Sequence, residues 1–382
     1  MKDMKNILIT GGAGFIGSNL AIKLVELGYS ITVLDNLSPQ IHGENPEKDS
    51  PLYQSIVNKV HFIKGDVVNR QDWEEAMKNQ DAIFHFAAET GTGQSMYQIE
   101  RYNLVNSYGT ALMMDVLVNQ PNSVKKIVLA STRAVYGEGK YKNANQEIVY
   151  PNSRKLEDMQ NNVFDLVDVN GNKLTPLPTD EGSKVHPLSM YGITKANQED
   201  IVKQVCSSIG LEYVILRFQN VYGAGQSMKN PYTGILSIFS TQIMTEKGIQ
   251  IFEDGKPVRD FVEVKDVVEA CIRSIELEKP NGKTINVGTG APTTVLTVAN
   301  SLVNAFKIDT NIKVTGDFRL GDIRYNVADL NRMKELLDFS PKTSFEEGVK
   351  EFVEWAKKQP VADNDFQKSL DEMEEKGLFI KS

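Results

Sequence analysis

The 382-residue chain has little cysteine, little histidine and a deficit of positive charge. Two cysteines, Cys206 and Cys271, are too few for a disulfide framework, so a reducing cytoplasm is the expected compartment. The four histidines have no ligand-like spacing, which predicts no metal site. Acidic residues outnumber lysine and arginine by 50 to 42, and this net charge of -8 argues against a nucleic-acid partner.

The chain also lacks long apolar runs. No segment is apolar over a length that would span a bilayer, and the first residues lead into a strand-like segment without room for a signal peptide. We therefore expect no membrane partner. The remaining composition, 41% hydrophobic and 24% charged, is typical of a globular protein that buries a large core.

What the sequence does contain is a glycine-rich turn between a strand and a helix. Residues 6–10 form a short apolar run, and apolar residues recur at helical spacing over 19–27. Glycines at such a turn let the backbone approach a pyrophosphate, and the first helical amides point at its charge. The turn therefore predicts a dinucleotide site that includes Gly11, Gly14, Phe15, Ile16 and Gly17.

A carboxylate, Asp35, ends the second predicted strand. In this position it can accept hydrogen bonds from the adenosine ribose and would repel a 2′-phosphate, so NAD is favoured over NADP. Asp66 ends the next strand and is expected to face the adenine. Asn36 and Val67, which follow these two aspartates, complete this part of the predicted cofactor site.

Strands and helices alternate through the first half of the chain, which predicts a parallel sheet with helices on both faces. A later strand at 283–287, which follows a helix at 264–278, is assigned to the same sheet. The expected strands are 6–10, 30–35, 60–64, 81–86, 125–131 and 213–217, and the expected helices are 14–28, 70–79, 97–119 and 190–209. The predicted fold is thus α/β, a Rossmann-like doubly wound parallel sheet with a smaller C-terminal substrate-binding lobe.

The same pattern predicts how the chain is divided. An Asn170-Gly171 pair between apolar-bearing arms predicts a hairpin inside a long polar insertion, which is a lid, a dimer contact or a surface feature. The charged tail is interpreted as a solvated helix or a frayed end. The predicted parts are 1–217 for the NAD-binding domain with an insertion at 138–186, about 262–288 completing it, 218–261 and 289–360 for the lobe, and 361–382 for the tail.

Tyr191 and Lys195 lie one turn apart on the predicted helix 190–209, so they share a face. A free tyrosine has a pKa of ~10, and a base that works near neutrality needs a stabilised phenolate. A neighbouring ammonium and a positive nicotinamide ring would both stabilise it. Ser131 and Thr132 stand at the carboxyl end of a predicted strand, where a hydroxyl can orient a reacting sugar oxygen toward the tyrosine.

With these motifs the chain resembles the extended short-chain dehydrogenase/reductase family of nucleotide-sugar epimerases and dehydratases. The resemblance spans about residues 5–356. It implies an NAD-dependent enzyme that binds a nucleotide-diphosphate sugar and dimerises through helices 97–119 and 190–209. The motifs are the glycine turn, His85-Phe86-Ala87-Ala88, Ser131-Thr132-Arg133-Ala134-Val135-Tyr136-Gly137, Tyr191-x-x-x-Lys195 and Arg259-Asp260-Phe261-Val262.

Roles for individual residues follow from the resemblance by position. Thr132 matches the catalytic Ser/Thr, Tyr191 the base and Lys195 its partner. Ala87 and Asn106 match positions of the cofactor site, the asparagine near the nicotinamide.

The resemblance also implies a substrate site. Asn220 matches an asparagine that touches the sugar nucleotide, and Arg259 and Arg319 match arginines that bind its diphosphate, as paired guanidinium groups do. Arg133 and Asp322 are also predicted to bind the substrate.

Two positions narrow the reaction that the resemblance implies. The family's 4,6-dehydratases carry Asp-Glu after the catalytic Thr, where this chain has Arg133 and Ala134, and its decarboxylases carry Glu in place of Ala134. Epimerisation at C4 through a transient 4-keto sugar needs neither carboxylate. Residues 135–141 and 252–255 most resemble the dTDP-L-rhamnose 4-epimerases. Alternatives are a UDP-linked hexose or uronic acid as substrate, an NADH-dependent keto-sugar reductase or dehydratase, and a non-catalytic NAD-binding scaffold.

Overall fold

The structure is a computed structural model that describes residues 4–228, 230–232, 234–360 and 366–382. Its strands are β1 (Asn6–Thr10), β2 (Ser30–Asp35), β3 (His61–Lys64), β4 (Ala82–His85), β5 (Lys126–Thr132), β6 (Tyr141–Lys142), β7 (Ile148–Val149), β8 (Thr175–Pro176), β9 (Glu212–Phe218), β10 (Asn220–Tyr222), β11 (Ile249–Ile251), β12 (Val258–Arg259), β13 (Phe261–Glu263), β14 (Lys283–Val287), β15 (Thr293–Thr294), β16 (Ile312–Val314), β17 (Phe318–Arg319), β18 (Tyr325–Asn326) and β19 (Phe379–Ile380).

The helices include short turns near the cleft as well as the long helices that cover the sheet. They are α1 (Phe15–Glu26), α2 (Pro39–His42), α3 (Pro46–Asp49), α4 (Pro51–Ile56), α5 (Arg70–Ala76), α6 (Thr92–Ser95), α7 (Ile99–Tyr102), α8 (Gly109–Asn119), α9 (Leu156–Gln160), α10 (Met190–Ile209), α11 (Ile235–Met244), α12 (Val264–Glu276), α13 (Val295–Phe306), α14 (Asn331–Leu337), α15 (Phe345–Ala356) and α16 (Phe366–Glu375). Among the described helices, none combines the length and apolarity needed to cross a membrane.

A parallel sheet of seven strands forms the centre, in the order β14-β9-β5-β4-β1-β2-β3. The predicted α/β class is confirmed, and β14 joins β9 at the edge as predicted. The strand order reverses at β1, so the crevice at the carboxyl ends of β1 and β4 is the switch point where such sheets bind ligands.

Alternating side chains of the strands build a core on each face of the sheet. On β1, Ile7 and Ile9 pack into the core that contains Leu20 of α1, while Leu8 packs into the opposite core with Trp73 of α5. All five side chains are fully buried. The near-continuous apolar strands therefore require helices on both faces, which holds the carboxyl edge of the sheet rigid.

The predicted helix 97–119 is interrupted. Its centre, Asn103–Tyr108, forms a π-helical turn between α7 and α8. Such turns are rare and are frequent at functional sites. The turn contains Asn106, which is fully buried, while the neighbouring Leu104 is exposed.

The insertion forms a three-stranded antiparallel sheet of β7, β6 and β8. The predicted hairpin is confirmed, because Val167 pairs with Lys173 around a turn in which Gly171 has a φ of 81°. Arg154 joins the insertion to the rest of the protein through two hydrogen bonds to Glu253, of 2.7 and 2.8 Å. Whether the insertion is a lid or a dimer contact stays a prediction, as does the division into domains.

The interpretation of the tail as solvated or frayed is wrong for residues 366–382. Phe366, Leu370 and Met373 lie on one face of α16 and are buried in a core with α11, α13 and α15. The strand β19 pairs antiparallel with β17. The charged composition hid this apolar face, whose members recur at helical spacing; residues 361–365 of the predicted tail lie outside the described residues.

Candidate active site

A cleft of about 390 Å³ lies along the carboxyl edge of the sheet. It extends from the glycine turn after β1 to the end of β5 and the start of α10. Most residues of the predicted cofactor site line it, namely Gly11, Gly14, Phe15, Ile16, Gly17, Asp35, Asn36, Asp66, Val67, Ala87, Tyr191 and Lys195.

The glycine turn leaves no space for side chains. Gly11 has a φ of 67°, and a Cβ there would lie 2.7 Å from the backbone nitrogen of Ala87. A Cβ on Gly17 would lie 2.4 Å from the carbonyl oxygen of Gly11. Because α1 begins at Phe15, its first amides face the space that these glycines keep open. The turn therefore fits the pyrophosphate of a dinucleotide.

Asp35 is held in place by the backbone. Its carboxylate accepts hydrogen bonds from the amides of Ala13 at 2.9 Å and Leu37 at 2.8 Å. Burial raises its pKa, although these amides and the nearby His42 oppose the shift. A carboxylate fixed in this way beside the glycine turn suits the ribose role predicted for it.

Asn106 does not line the cleft, unlike the other predicted cofactor residues. Its side chain accepts a hydrogen bond from the Glu89 amide at 2.8 Å and donates to the Glu89 carbonyl at 3.1 Å and the Thr194 hydroxyl at 3.0 Å. It thus ties the cleft-lining segment after β4 to α10. The structure assigns Asn106 the position of a brace beside the cofactor site rather than a lining residue.

The three predicted catalytic residues meet in the cleft. Thr132 is the last residue of β5, and α10 carries Tyr191 and Lys195. Ser189 caps α10 by accepting a hydrogen bond from the Gly192 amide at 3.1 Å. A Cβ on Gly192 would lie 2.6 Å from the Ala134 carbonyl oxygen, so glycine is needed for α10 to approach the end of β5 this closely.

The electrostatics of this trio differ from the sequence-based expectation. The pKa of Tyr191 is raised by burial, which outweighs the lowering by the Thr132 hydrogen bond and by the charge of Arg133. Burial lowers the pKa of Lys195 to about 7, against the influence of Glu199. The protein alone therefore does not lower the Tyr191 pKa as expected, because the burial of Tyr191 disfavours its phenolate form.

Sequence reasoning missed the charged support beneath this trio. Glu199 accepts a 2.6 Å hydrogen bond from Ser131 and two from Arg217, of 2.8 and 2.7 Å. Ser131 and Thr132 both line the cleft, and the Ser131 hydroxyl is engaged by Glu199. The available signal was the spacing of four residues between Lys195 and Glu199, which places both on one helical face.

The predicted substrate residues gather beyond Thr132. Arg133 donates a 2.8 Å hydrogen bond to the side-chain oxygen of Asn220, which lines the large cleft. Arg133, Arg259 and Asp322 line a smaller cavity of about 30 Å³. Arg319 pairs with Asp322 at 2.9 Å. The structure thus brings all five predicted substrate residues to one end of the site.

Arg133 and Arg259 lie close together at this end. The pKa of Arg133 is lowered to about 9 by burial and by the charge of Arg259. Burial also lowers the pKa of Arg259, against the influence of Asp322, Glu253 and Glu138, and Arg259 donates its hydrogen bonds to the carbonyl oxygens of Val258 and Ile323. Burial alone would raise the pKa of Asp322, but Arg319 and Arg259 lower it. A doubly charged diphosphate would pair with the two guanidinium groups.

Two further contacts near the cleft were not predicted. Gln40 of α2 and Gln94 of α6 exchange hydrogen bonds of 3.2 and 3.1 Å, which join the segment after β2 to the segment after β4. Glu89 and Arg101, which both line the cleft, form an ion pair at 2.7 Å. Side chains that meet from distant positions leave no local sequence pattern.

Known proteins are similar to this chain over most of its length. The model of the NAD dependent epimerase/dehydratase family matches residues 7–154 and 168–288. The dTDP-L-rhamnose 4-epimerase of Burkholderia thailandensis is 36% identical over 357 residues, which cover 93% of this chain and 96% of that protein. A putative UDP-glucose 4-epimerase of Methanocaldococcus jannaschii is 30% identical over 356 residues, with 92% and 98% covered.

A solved structure shows the same architecture. The UDP-glucose 4-epimerase of Thermotoga maritima, determined with UDP-glucose, is 30% identical to this chain with a TM-score of 0.74. The match covers 92% of this chain and 99% of that one. The similarity therefore extends over both the sheet and the lobe.

Proposed function

Because the chain belongs to the NAD dependent epimerase/dehydratase family, we propose that it inverts C4 of a nucleotide-diphosphate sugar with NAD as its cofactor. The observation that carries the proposal is the meeting of Thr132, Tyr191 and Lys195 in the cleft, next to the cationic end of the site. A dTDP-linked 6-deoxyhexose such as dTDP-L-rhamnose is the first candidate substrate, and a UDP-linked hexose is the second.

The proposed chemistry takes place at the 4-hydroxyl of the sugar. Tyr191 accepts the hydroxyl proton on its phenolate oxygen while the Thr132 hydroxyl orients the sugar oxygen. NAD, when bound, supplies the hydride acceptor and donor and a positive ring charge that favours the phenolate. After the keto sugar has turned over in the cleft, Tyr191 returns the proton to the same oxygen. Lys195 shares the helical face of Tyr191 and would hold the nicotinamide ribose.

The turning step requires that the nucleotide stay bound while the sugar moves. Arg133, Arg259 and Arg319 would hold the diphosphate, since guanidinium groups bind phosphate oxygens by charge and paired hydrogen bonds. Arg133 already bonds Asn220, so this anchor adjoins the reacting end of the cleft.

Elimination or decarboxylation is less well supported by the groups present. Arg133 and Ala134 stand where those reactions need carboxylates. Three carboxylates line the large cleft in the described part of the chain. Asp35 and Asp66 lie at the adenosine end, and Glu89 is paired with Arg101. The expected acid and base for loss of water are therefore missing next to Tyr191.

A homodimer and a cytoplasmic location complete the proposal. The helical layer of α7, α8 and α10 carries apolar side chains that are about half exposed, among them Ile99, Leu104, Tyr108 and Ile193. Such a patch suits the interface expected for helices 97–119 and 190–209. The free, buried Cys206 and Cys271 fit a reducing compartment.

The test is incubation of the purified protein with dTDP- and UDP-sugars without added reductant, followed by mass spectrometry and NMR. We expect a product of unchanged mass with inverted C4. Tyr191→Phe should lower kcat by roughly 10²- to 10⁴-fold because the proton acceptor is lost. Tyr213→Phe is the matched control. Tyr213 lies at the start of β9, whose other end, Phe218, lines the cleft, so this change should leave kcat unchanged.

Two other results would redirect the proposal. A product lighter by one water or one carbon dioxide would show that Arg133 and Ala134 do not exclude those reactions. Turnover that begins only after NADH is added would identify a keto-sugar reductase instead.

A further inference from the structure

The C-terminal segment 366–382 contacts both walls of the site at its sugar end. On the side of the sheet, Met373 lies against Gly93 of α6, where a Cβ would approach its sulfur to 3.0 Å. On the side of the lobe, β19 pairs with the strand that carries Arg319. Met373 and Leu378 line a small cavity together with Arg319 and Asp322. The segment therefore closes the gap between the two walls.

Glu372 makes the polar contact at the centre of this closure. Its Oε2 accepts a hydrogen bond from the Tyr97 hydroxyl at 3.1 Å and another from the Tyr232 hydroxyl at 3.0 Å. Tyr97 follows α6, and Tyr232 belongs to the loop before α11. One carboxylate thus joins two segments that are far apart in sequence.

Both segments form walls of the cleft or of the cavities beside it. Asn230 and Gly234, on either side of Tyr232, line the large cleft. Thr92 of α6 lines the cavity that contains Arg133 and Arg259. The two tyrosines are also linked to each other, since a hydrogen bond to Tyr232 contributes, after burial, to raising the pKa of Tyr97. A charged acceptor shared by two partly buried hydroxyls fixes their positions relative to each other.

We propose that Glu372 is a positioning residue for the sugar, which through Tyr97 and Tyr232 fixes the two wall segments around it and retains the keto sugar until it is reduced. The inference rests on the proposed function. In that reaction the sugar must be free to turn but must not leave. A sugar that departs after oxidation takes the carbonyl with it and leaves the hydride on the cofactor. The enzyme would then be stranded with reduced cofactor.

The first test measures binding by calorimetry, with dTDP-L-rhamnose and dTDP as probes. Glu372→Ala should weaken binding of the sugar nucleotide by roughly tenfold, because a charged hydrogen-bond acceptor is lost, and leave binding of dTDP unchanged. Glu372→Gln keeps an acceptor and should restore most of the affinity. Glu375→Ala, an exposed glutamate on the same helix, is the matched control. Equal weakening for both probes, or no weakening, would overturn the inference.

The second test follows absorbance at 340 nm during turnover of the holoenzyme. Glu372→Ala should accumulate reduced cofactor up to the enzyme concentration, with a raised KM, whereas wild type and Glu375→Ala should not. Tyr97→Phe, which leaves the carboxylate in place, should show a smaller effect of the same kind. A variant that only melts earlier, with unchanged KM and no absorbance at 340 nm, would reduce Glu372 to a structural role. Sugar-specific binding without epimerisation by the wild type would instead count against the proposed reaction while leaving Glu372 as the sugar's positioning residue.

Discussion

Two arginines, the buried Arg324 in the lobe and the partly buried Arg133 at the cleft, differ in the partners that compensate their charge. Arg324 donates hydrogen bonds to Asp254 at 2.6 and 2.8 Å and to Asp165 at 2.8 Å. Burial would lower its pKa, but these carboxylates raise it. Arg133 donates instead to the amide oxygen of Asn220, and its pKa is lowered to about 9 by burial and by Arg259.

This difference in partners distinguishes Arg324, which connects segments of the protein, from Arg133, which belongs to the predicted substrate site. Arg324 and its carboxylates connect the insertion, which contains Asp165, to the loop of Asp254. Buried charges with complete partners hold segments together, and removal of one partner is costly. Arg133 and Arg259 line one cavity, neither of them donates a side-chain hydrogen bond to a carboxylate among the described contacts, and a bound diphosphate would supply one. Unequal balance among similar side chains therefore indicates where a ligand is expected.

The largest expected effect is a loss of stability when Arg324 is removed. Arg324→Met should lower the free energy of unfolding by about 3–5 kcal/mol, because Asp254 and the fully buried Glu253 would lose a cationic partner. Chemical denaturation of both proteins measures the loss. Arg70→Met, which removes an exposed pair with Asp115, is the control and should destabilise the protein far less, because solvent screens that pair. An equal loss in the two variants would contradict the distinction.

A smaller effect, on binding rather than stability, is expected at the cleft. Arg259→Met should weaken dTDP binding by roughly 30- to 100-fold, because a charged hydrogen-bond donor to the diphosphate is lost. Its unfolding free energy should change little, since Asp322 keeps Arg319 and Glu253 keeps Arg154. Calorimetry and denaturation of the same sample test both parts. A destabilised variant with normal dTDP affinity would place Arg259 among the structural arginines.

The smallest expected effect is a pH dependence of dTDP binding that comes from Arg133. Burial and the charge of Arg259 lower the pKa of Arg133 to about 9 in the free protein, and a diphosphate binds the protonated form. Affinity for dTDP should therefore fall above pH 9, by roughly tenfold per pH unit at most for one proton. The thymine base titrates in the same range, so Arg133→Met provides the reference curve. A wild-type curve parallel to that of the variant would mean that Arg133 stays charged or does not contact the phosphates.

The sequence is sufficient where neighbours along the chain decide the structure. The glycine turn, Asp35 and the Tyr191–Lys195 pair are local patterns, and each lies in the cleft as predicted. The parallel sheet also follows from alternation of strands and helices. These features depend on backbone conformation and periodicity, which a single sequence displays directly.

The sequence is insufficient where the site depends on contacts between distant segments. Arg154 meets Glu253 across 99 positions, and Tyr97 meets Glu372 across 275. The π-helical turn around Asn106 escaped detection because its residues favour an ordinary helix equally well. In the tail, the spacing of Phe366, Leu370 and Met373 was visible, but the surrounding charges concealed it.

The contact between Gln40 and Gln94 has a consequence for how the two ends of the site respond to ionic strength. Two amides that exchange hydrogen bonds carry no net charge, so salt does not screen the link between the segments after β2 and β4. The guanidinium groups at the other end attract their ligand by charge and are weakened by salt. Concentrated salt should therefore weaken binding of the proposed nucleotide sugar while the contact between Gln40 and Gln94 persists.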